Sequence, residues 1–140
     1  MLFQDCLCFA LGKVSRNMAR AYRQRLEPYG LNQPQFFLLI ALYEEEEITI
    51  SQLARKVAQD KSTLTGILDR LERDGLVVRS SSPEDRRAIH VRLTPKARKL
   101  KRRLWRIYEE TNRSFLSRLT PTERAVLMQA VAKLEGGEHD

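Results

Sequence analysis

Through the first thirty positions the apolar residues Leu7, Leu11, Val14, Met18, Ala21 and the Arg25/Leu26 pair recur in alternating steps of four and three. That spacing predicts one helix with a stripe close to a heptad, which packs on another helix of the same chain or of a partner subunit. Pro28 and Gly30 stop it. "NQPQFFLLIALY" then reads as a fully buried helix, opened by Asn32 or Gln33 as cap with Pro34 in the first turn, where a missing N–H costs nothing. Four carboxylates, Glu44 to Glu47, end it, because negative charge at a helix C-terminus opposes the macrodipole. That acidic run is expected to face away from any bound polyanion.

The middle of the chain changes period more than once. Ile48 to Ile50 predicts a short strand, followed by a helix capped by Ser51 with Leu53, Ala54 and Val57 inward. After a turn at Ala58 to Asp60, Leu64, Ile67, Leu68 and Leu71 stand at i, i+3, i+4 and i+7, with Lys61, Ser62, Thr63, Thr65, Gly66, Asp69, Arg70 and Arg73 on the opposite face. Gly75 supplies a left-handed stop. Two short helices with small hydroxyls and bases facing outward on the second read as a helix-turn-helix. "LVVR" and "AIHVRL" predict an antiparallel hairpin around the tip Asp85-Arg86-Arg87, which makes the unit a winged helix. Two further helices follow. Thr94-Pro95 opens one bearing Leu100, Leu104, Ile107, Thr111 and Phe115, and the capping box Thr120-Pro121-Thr122-Glu123 opens another bearing Val126, Leu127, Ala130, Val131 and Leu134. The fold class is therefore mainly α with a small β-hairpin wing, and the terminal "GGEHD" is expected to fray.

Charge narrows the partners. With 25 Lys and Arg against 18 Asp and Glu the net charge is +7, which favours a polyanion such as nucleic acid. No apolar run approaches the roughly 20 residues of a spanning helix, and Asp5 interrupts the apolar start, so a cytoplasmic chain without membrane partner or secretory leader is expected. Cys6 and Cys8 are the only cysteines and are expected to be reduced; with His90 and His139 scattered they lack zinc spacing, and no cofactor is implied. Nothing pairs a nucleophile with a base or cradles a phosphate in a glycine-rich loop, so an enzyme is not expected.

"SQLARKV", "STLTGILDRLERDGLVVR" and above all "DRRAIHVRLT" resemble the MarR family of dimeric bacterial transcription regulators, over nearly the whole chain. The resemblance implies one MarR-like chain over 1–140, with a winged-helix DNA-binding part at 32–94 flanked by dimerisation helices at 1–30 and 95–136. It also implies binding of a homodimer to a pseudo-palindromic double-stranded operator, and release by a small anionic phenolic compound or an oxidant. Repression is the implied outcome. A winged-helix dimerisation or protein-interaction module is the rival reading.

For base edges or phosphates the candidates are Ser62, Thr63 and Thr65, small enough with Gly66 to let a helix backbone approach the major groove, and Lys61 and Arg70 for charge-assisted contacts. An ordinary amphipathic surface helix is the alternative. At the wing, Arg87 is the candidate for the narrow minor groove and Arg86 for a phosphate; a merely solvated turn is the alternative. By the family pattern Asp85 holds an Arg of the recognition helix, here Arg70. The basic stretch Arg98 to Arg106 reads as a solvated face. Cys8 and Tyr22 resemble the organic-hydroperoxide-sensing branch, although Gly12 and Gln33 stand where that branch has its other tyrosines, so an inert thiol stays open. Arg16, Arg20 and Phe36 are the residues available for an aromatic anion.

Overall fold

Asn32 opens the helix that fills the core. The carboxamide oxygen of Asn32 accepts from the Gln35 N–H and that of Gln35 accepts from the Asn32 N–H, both at 2.9 Å, so Asn32 rather than Gln33 is the cap. The computed structural model describes residues 1–82 and 84–136; Pro83 and the last four residues, which include His139 and most of the tail expected to fray, lie outside the described residues. The chain divides into two compact units, residues 1–108 and 109–140. The first contains α1 (Leu7–Leu26), α2 (Gln33–Glu44), β1 (Ile48–Thr49), α3 (Ile50–Lys56), α4 (Lys61–Arg73), β2 (Val77–Ser81), β3 (Ile89–Leu93) and the start of α5 (Pro95–Leu116). The second contains the end of α5 and α6 (Pro121–Glu135), opened by the expected Thr120–Glu123 box.

In the first unit Phe36, Leu38, Leu39 and Leu42 of α2 pack with Leu53, Leu64, Leu68 and Leu71 of the helix-turn-helix and with Leu104 of α5. Each such side chain contributes about 1.5–3 kcal/mol by leaving water. The Tyr43 hydroxyl donates to the Ala97 carbonyl at 2.6 Å, tying α2 to α5, and burial pushes that phenol up to about 12. The sheet order is β1-β3-β2, antiparallel, with Ile48 opposite Val91 and Arg79 opposite Val91 on the other side.

Three expectations need correction. Thr49, not Ser51, caps α3: its hydroxyl accepts from the Gln52 N–H at 3.2 Å and Gln52 returns a bond to the Thr49 N–H at 3.0 Å. The capping box outcompetes a third strand residue, so β1 is two residues long and Ile50 is already helical. The acidic run stays exposed but pairs with cations of the chain, Glu44 and Glu45 with Lys56, Glu46 with Arg98 and Glu47 with Arg92, so the third correction concerns Arg98. Arg98 thereby leaves the purely solvated face assigned to it. Among the described residues no helix is long and apolar enough to cross a membrane.

On α1 the stripe is uncovered near the N-terminus: Leu7, Leu11 and Val14 are 55%, 43% and 49% exposed. In the second unit Val126, Leu127, Met128 and Leu134 of α6 are likewise exposed.

Candidate nucleic-acid interface

The recognition helix α4 starts on Asp60, a cap not singled out from the sequence. Its carboxylate accepts from the Thr63 N–H at 2.7 Å and from the Thr63 hydroxyl at 3.0 Å, and those bonds, the backbone one foremost, hold its pKa below the usual range. Leu64, Leu68 and Leu71 anchor the inner face, while Lys61, Ser62, Thr63, Thr65, Gly66 and Arg70 are all exposed. The hydroxyls are not equivalent. Thr63 spends its proton on Asp60 and Thr65 spends its own on the Lys61 carbonyl at 2.8 Å, so both are set to accept, as from an exocyclic amine of a base. Ser62 keeps its donor for a phosphate or a base acceptor. Around Gly66 nothing lies within 4 Å of where a Cβ would stand, so the fold itself does not require glycine there and the bare backbone is open to a groove.

Behind α4 the wing is fastened by Arg79, a residue the sequence reading passed over. Its guanidinium reaches Asp69 and Glu72 at 2.6 Å each, and Glu72 also accepts from the Arg79 Nε at 3.2 Å and the backbone N–H at 3.3 Å. Arg79 donation lowers the Glu72 pKa, and the two carboxylates raise that of Arg79. Asp69, placed on the outward face by its spacing, is thus a wing contact. The only trace in the sequence was an Arg in a strand ten residues beyond an Asp and seven beyond a Glu on a helix. Below this clasp the Thr94 hydroxyl donates to the Gly75 carbonyl at 2.6 Å and Lys96 donates to the Asp74 carbonyl at 2.8 Å, closing the turn in which Gly75 has φ +74°.

At the tip the expected Asp85–Arg70 pair is not formed. Asp85 instead accepts the Arg87 N–H at 2.9 Å, and its carbonyl accepts the Ala88 N–H at 3.1 Å, so the carboxylate shapes the turn that presents Arg87. Two residues of separation make that turn bond local, whereas Arg70 would have to cross from the helix. Arg86 and Arg87 are exposed, and among the described residues neither guanidinium has an ion-pair partner. A cleft of about 390 Å³ joins tip and helix, with Lys61, Asp85 and Arg87 around it and Thr49 and Ser51 on its α3 side. It brings together two cations and two hydroxyls from elements far apart in sequence.

The residues expected to sense an effector are spread out. Cys8 and Tyr22 both lie on α1, fourteen residues apart, a rise of roughly 21 Å, so no hydrogen bond joins them within one subunit. Cys8 is exposed; Tyr22 is buried edge-on to Phe37, with ring centroids 5.5 Å apart, and its pKa is raised by burial first and by Tyr108 second. Phe36 has no exposed surface and belongs to the core, while Arg16 and Arg20 are exposed. Arg16 leans back over Gly12, its guanidinium 3.2 Å from where a Cβ of residue 12 would stand, on the face that carries Cys8 one turn earlier.

The MarR family model matches residues 31–89, from just before α2 to the first residue of β3. An organic hydroperoxide resistance transcriptional regulator of Bacillus subtilis is 35% identical over 94 residues, 67% of this chain and 64% of that protein, so the chain spans less than two thirds of its length. The transcriptional regulator SarZ of Staphylococcus haemolyticus is 33% identical over 109 residues, covering 78% of this chain and 74% of that one. A crystal structure of a MarR mutant from E. coli complexed with operator DNA superposes with a TM-score of 0.82 at 26% identity, covering 91% of this chain and 92% of the other. With helix-turn-helix, wing and relatives in agreement, the chain belongs to the MarR family.

Proposed function

We propose that the chain is a DNA-binding transcriptional repressor that acts as a homodimer on a pseudo-palindromic operator. Family membership puts it among transcription regulators rather than enzymes. The observation that carries the reading is a division of labour among charges. The acidic run and Arg79 are paired with opposite charges of the chain itself, whereas Arg86, Arg87 and the outer face of α4 offer cations and hydroxyls to a partner. That pattern suits a polyanion such as DNA better than it suits an apolar protein-interaction face. The uncovered stripe Leu7, Leu11 and Val14 supports a second copy on α1, because exposed apolar stripes of this kind mark association surfaces. Fluorescence anisotropy with the chain's own upstream DNA tests the reading. A dimer that neutralises about 6–10 phosphates loses roughly 10³–10⁵ in affinity between 50 and 200 mM salt, with half-sites about 34 Å apart. A flat salt response, or protection of a single half-site, overturns it.

For release, an oxidant acting on Cys8 is favoured over a small anionic aromatic ligand. Cys8 is exposed beside the apolar stripe, and an anionic sulfur acid there would lie on the face of Arg16, whereas Phe36 is sealed in the core. The named hydroperoxide-resistance relative points the same way. An organic hydroperoxide should abolish DNA binding by the wild type and spare Cys8→Ser; equal loss in both assigns the sensor elsewhere.

A further inference from the structure

The first half of α5 carries more positive charge than the fold uses. From Pro95 to Tyr108 it holds seven Lys and Arg and no Asp or Glu. Two of them are engaged, Arg98 with Glu46 at 3.5 Å and Lys96 with the Asp74 carbonyl at 2.8 Å. Lys99, Lys101, Arg102, Arg103 and Arg106 are exposed, and among the described residues none of them has an ion-pair partner. Lys99, Arg102, Arg103 and Arg106 stand at i, i+3, i+4 and i+7, so they share one face, opposite the buried Ala97 and Leu104. Like charges at i, i+4 repel, and here Lys99 faces Arg103 and Arg102 faces Arg106 with no carboxylate of the described residues to offset them.

We propose that this face docks a flexible acidic segment of a partner protein. Three of its four cations are arginines, whose planar guanidinium takes a carboxylate through two parallel hydrogen bonds. From Lys99 to Arg106 the stripe rises about 10 Å, a length that three or four extended residues cover. A lipid surface fits it poorly, since none of the exposed large apolar side chains among the described residues lies on α5. Single-stranded nucleic acid fits no better, because no aromatic ring stands among these four cations to stack a base.

Double-stranded DNA is disfavoured by what borders the face. Glu44 to Glu47 adjoin it through the Glu46–Arg98 pair, and their side chains stay more than half exposed. A stiff duplex with one negative charge per about 1.7 Å of axis would carry phosphates over that acidic run, whereas a flexible segment can stop short of it. The face is also set away from the reading end of α4. Thr94 and Lys96 fix the start of α5 to the Gly75 and Asp74 carbonyls, at the end of α4 roughly 20 Å from Lys61. A segment seated on α5 therefore leaves Lys61 and the wing tip free, and its docking does not rest on the DNA-binding reading.

Hexaglutamate and hexaglutamine, each carrying the same dye, are the probes, titrated with the full chain by fluorescence anisotropy at low salt. Hexaglutamate should bind saturably with a Kd on the order of 10–100 µM, and hexaglutamine at least about tenfold more weakly. The double variants Arg102→Gln/Arg106→Gln and Arg86→Gln/Arg87→Gln remove the same net charge from two places. The α5 pair should weaken hexaglutamate about tenfold, leave duplex DNA affinity within about twofold and not lower the melting temperature, because it relieves repulsion on an exposed face. The wing pair should do the opposite, weakening the duplex and sparing hexaglutamate. Loss of hexaglutamate through the wing pair alone, through both pairs equally or through neither overturns the proposal. So does a duplex loss with the α5 pair as large as with the wing pair, which would make the face a DNA contact, or α5-dependent binding to phosphatidylserine vesicles without binding to hexaglutamate. A chain that takes hexaglutamate through α5 and never binds DNA keeps this inference and sinks the operator reading.

Discussion

The base and the tip of the wing are both rich in arginine, and they treat it in opposite ways. At the base Arg79 is clasped by Asp69 and Glu72 of α4 and Arg92 by Glu47, with contacts between 2.6 and 2.8 Å. At the tip Arg86 and Arg87 stand in solvent, and the neighbouring carboxylate of Asp85 bonds the backbone rather than either guanidinium. A charge with partners inside the fold has already given up much of what it could offer a ligand. A charge left unpaired on a turn held by its own hydrogen bonds keeps its affinity for a phosphate or a narrow groove, and loses less freedom when it binds.

Removing the tip cation breaks the contrast most directly. Arg87→Ala should cost about 1–3 kcal/mol of DNA binding, with unchanged thermal unfolding, because its side chain supports nothing in the free protein. Anisotropy titrations beside a melting curve check both halves. A lowered melting temperature with intact DNA binding would mean that tip and base have exchanged roles.

Arg79→Met should show the reverse weighting. The clasp holds the hairpin to α4, so its loss should lower the melting temperature by a few degrees and weaken DNA binding only several-fold, through a wing that wanders. Acid should mimic it. Glu72 has its pKa depressed by Arg79, so the clasp's contribution is complete above the ordinary value of 4.5 and is lost as pH falls through the folded value. Melting curves of wild type and Arg79→Met should therefore converge at low pH, and parallel curves would show that the clasp adds nothing.

The sequence made some of this contrast legible and hid the rest for physical reasons. Periodicity revealed α4 and the strands because one face of each is buried, and turn chemistry revealed Gly75 and the Thr120–Glu123 box because those signals are local. Arg86 and Arg87 could be chosen since a tip side chain has nowhere else to go. Arg79 could not, because whether a strand arginine is clasped or free depends on how the hairpin folds over α4, and the strand pattern specifies only its face. Thr49 eclipsed Ser51 for a related reason: both are good caps, and the Gln52 that completes the box favours Thr49. The partners of Glu44 to Glu47 come from α3, β3 and α5, distances in sequence over which spacing carries no information.

The smallest expected effect is the most discriminating, because its sign separates three accounts of Asp85. If the carboxylate works by shaping the turn, what matters is an oxygen that accepts the Arg87 N–H at 2.9 Å, and an amide oxygen serves as well as a carboxylate. Asp85→Asn then keeps the geometry and drops a negative charge near phosphates, so it should bind DNA as tightly as the wild type or slightly more so. Asp85→Ala loses the bond, lets Arg87 wander, and should bind a few-fold more weakly even though it too removes a negative charge. Were simple repulsion in control, both variants would tighten together. Were the carboxylate to pair with Arg70 when DNA arrives, both would weaken, since neutral Asn replaces a charge-assisted bond poorly. Anisotropy titrations of the two variants at one low salt concentration decide among these, and the turn account stands only on the order Asn at or above wild type with Ala below.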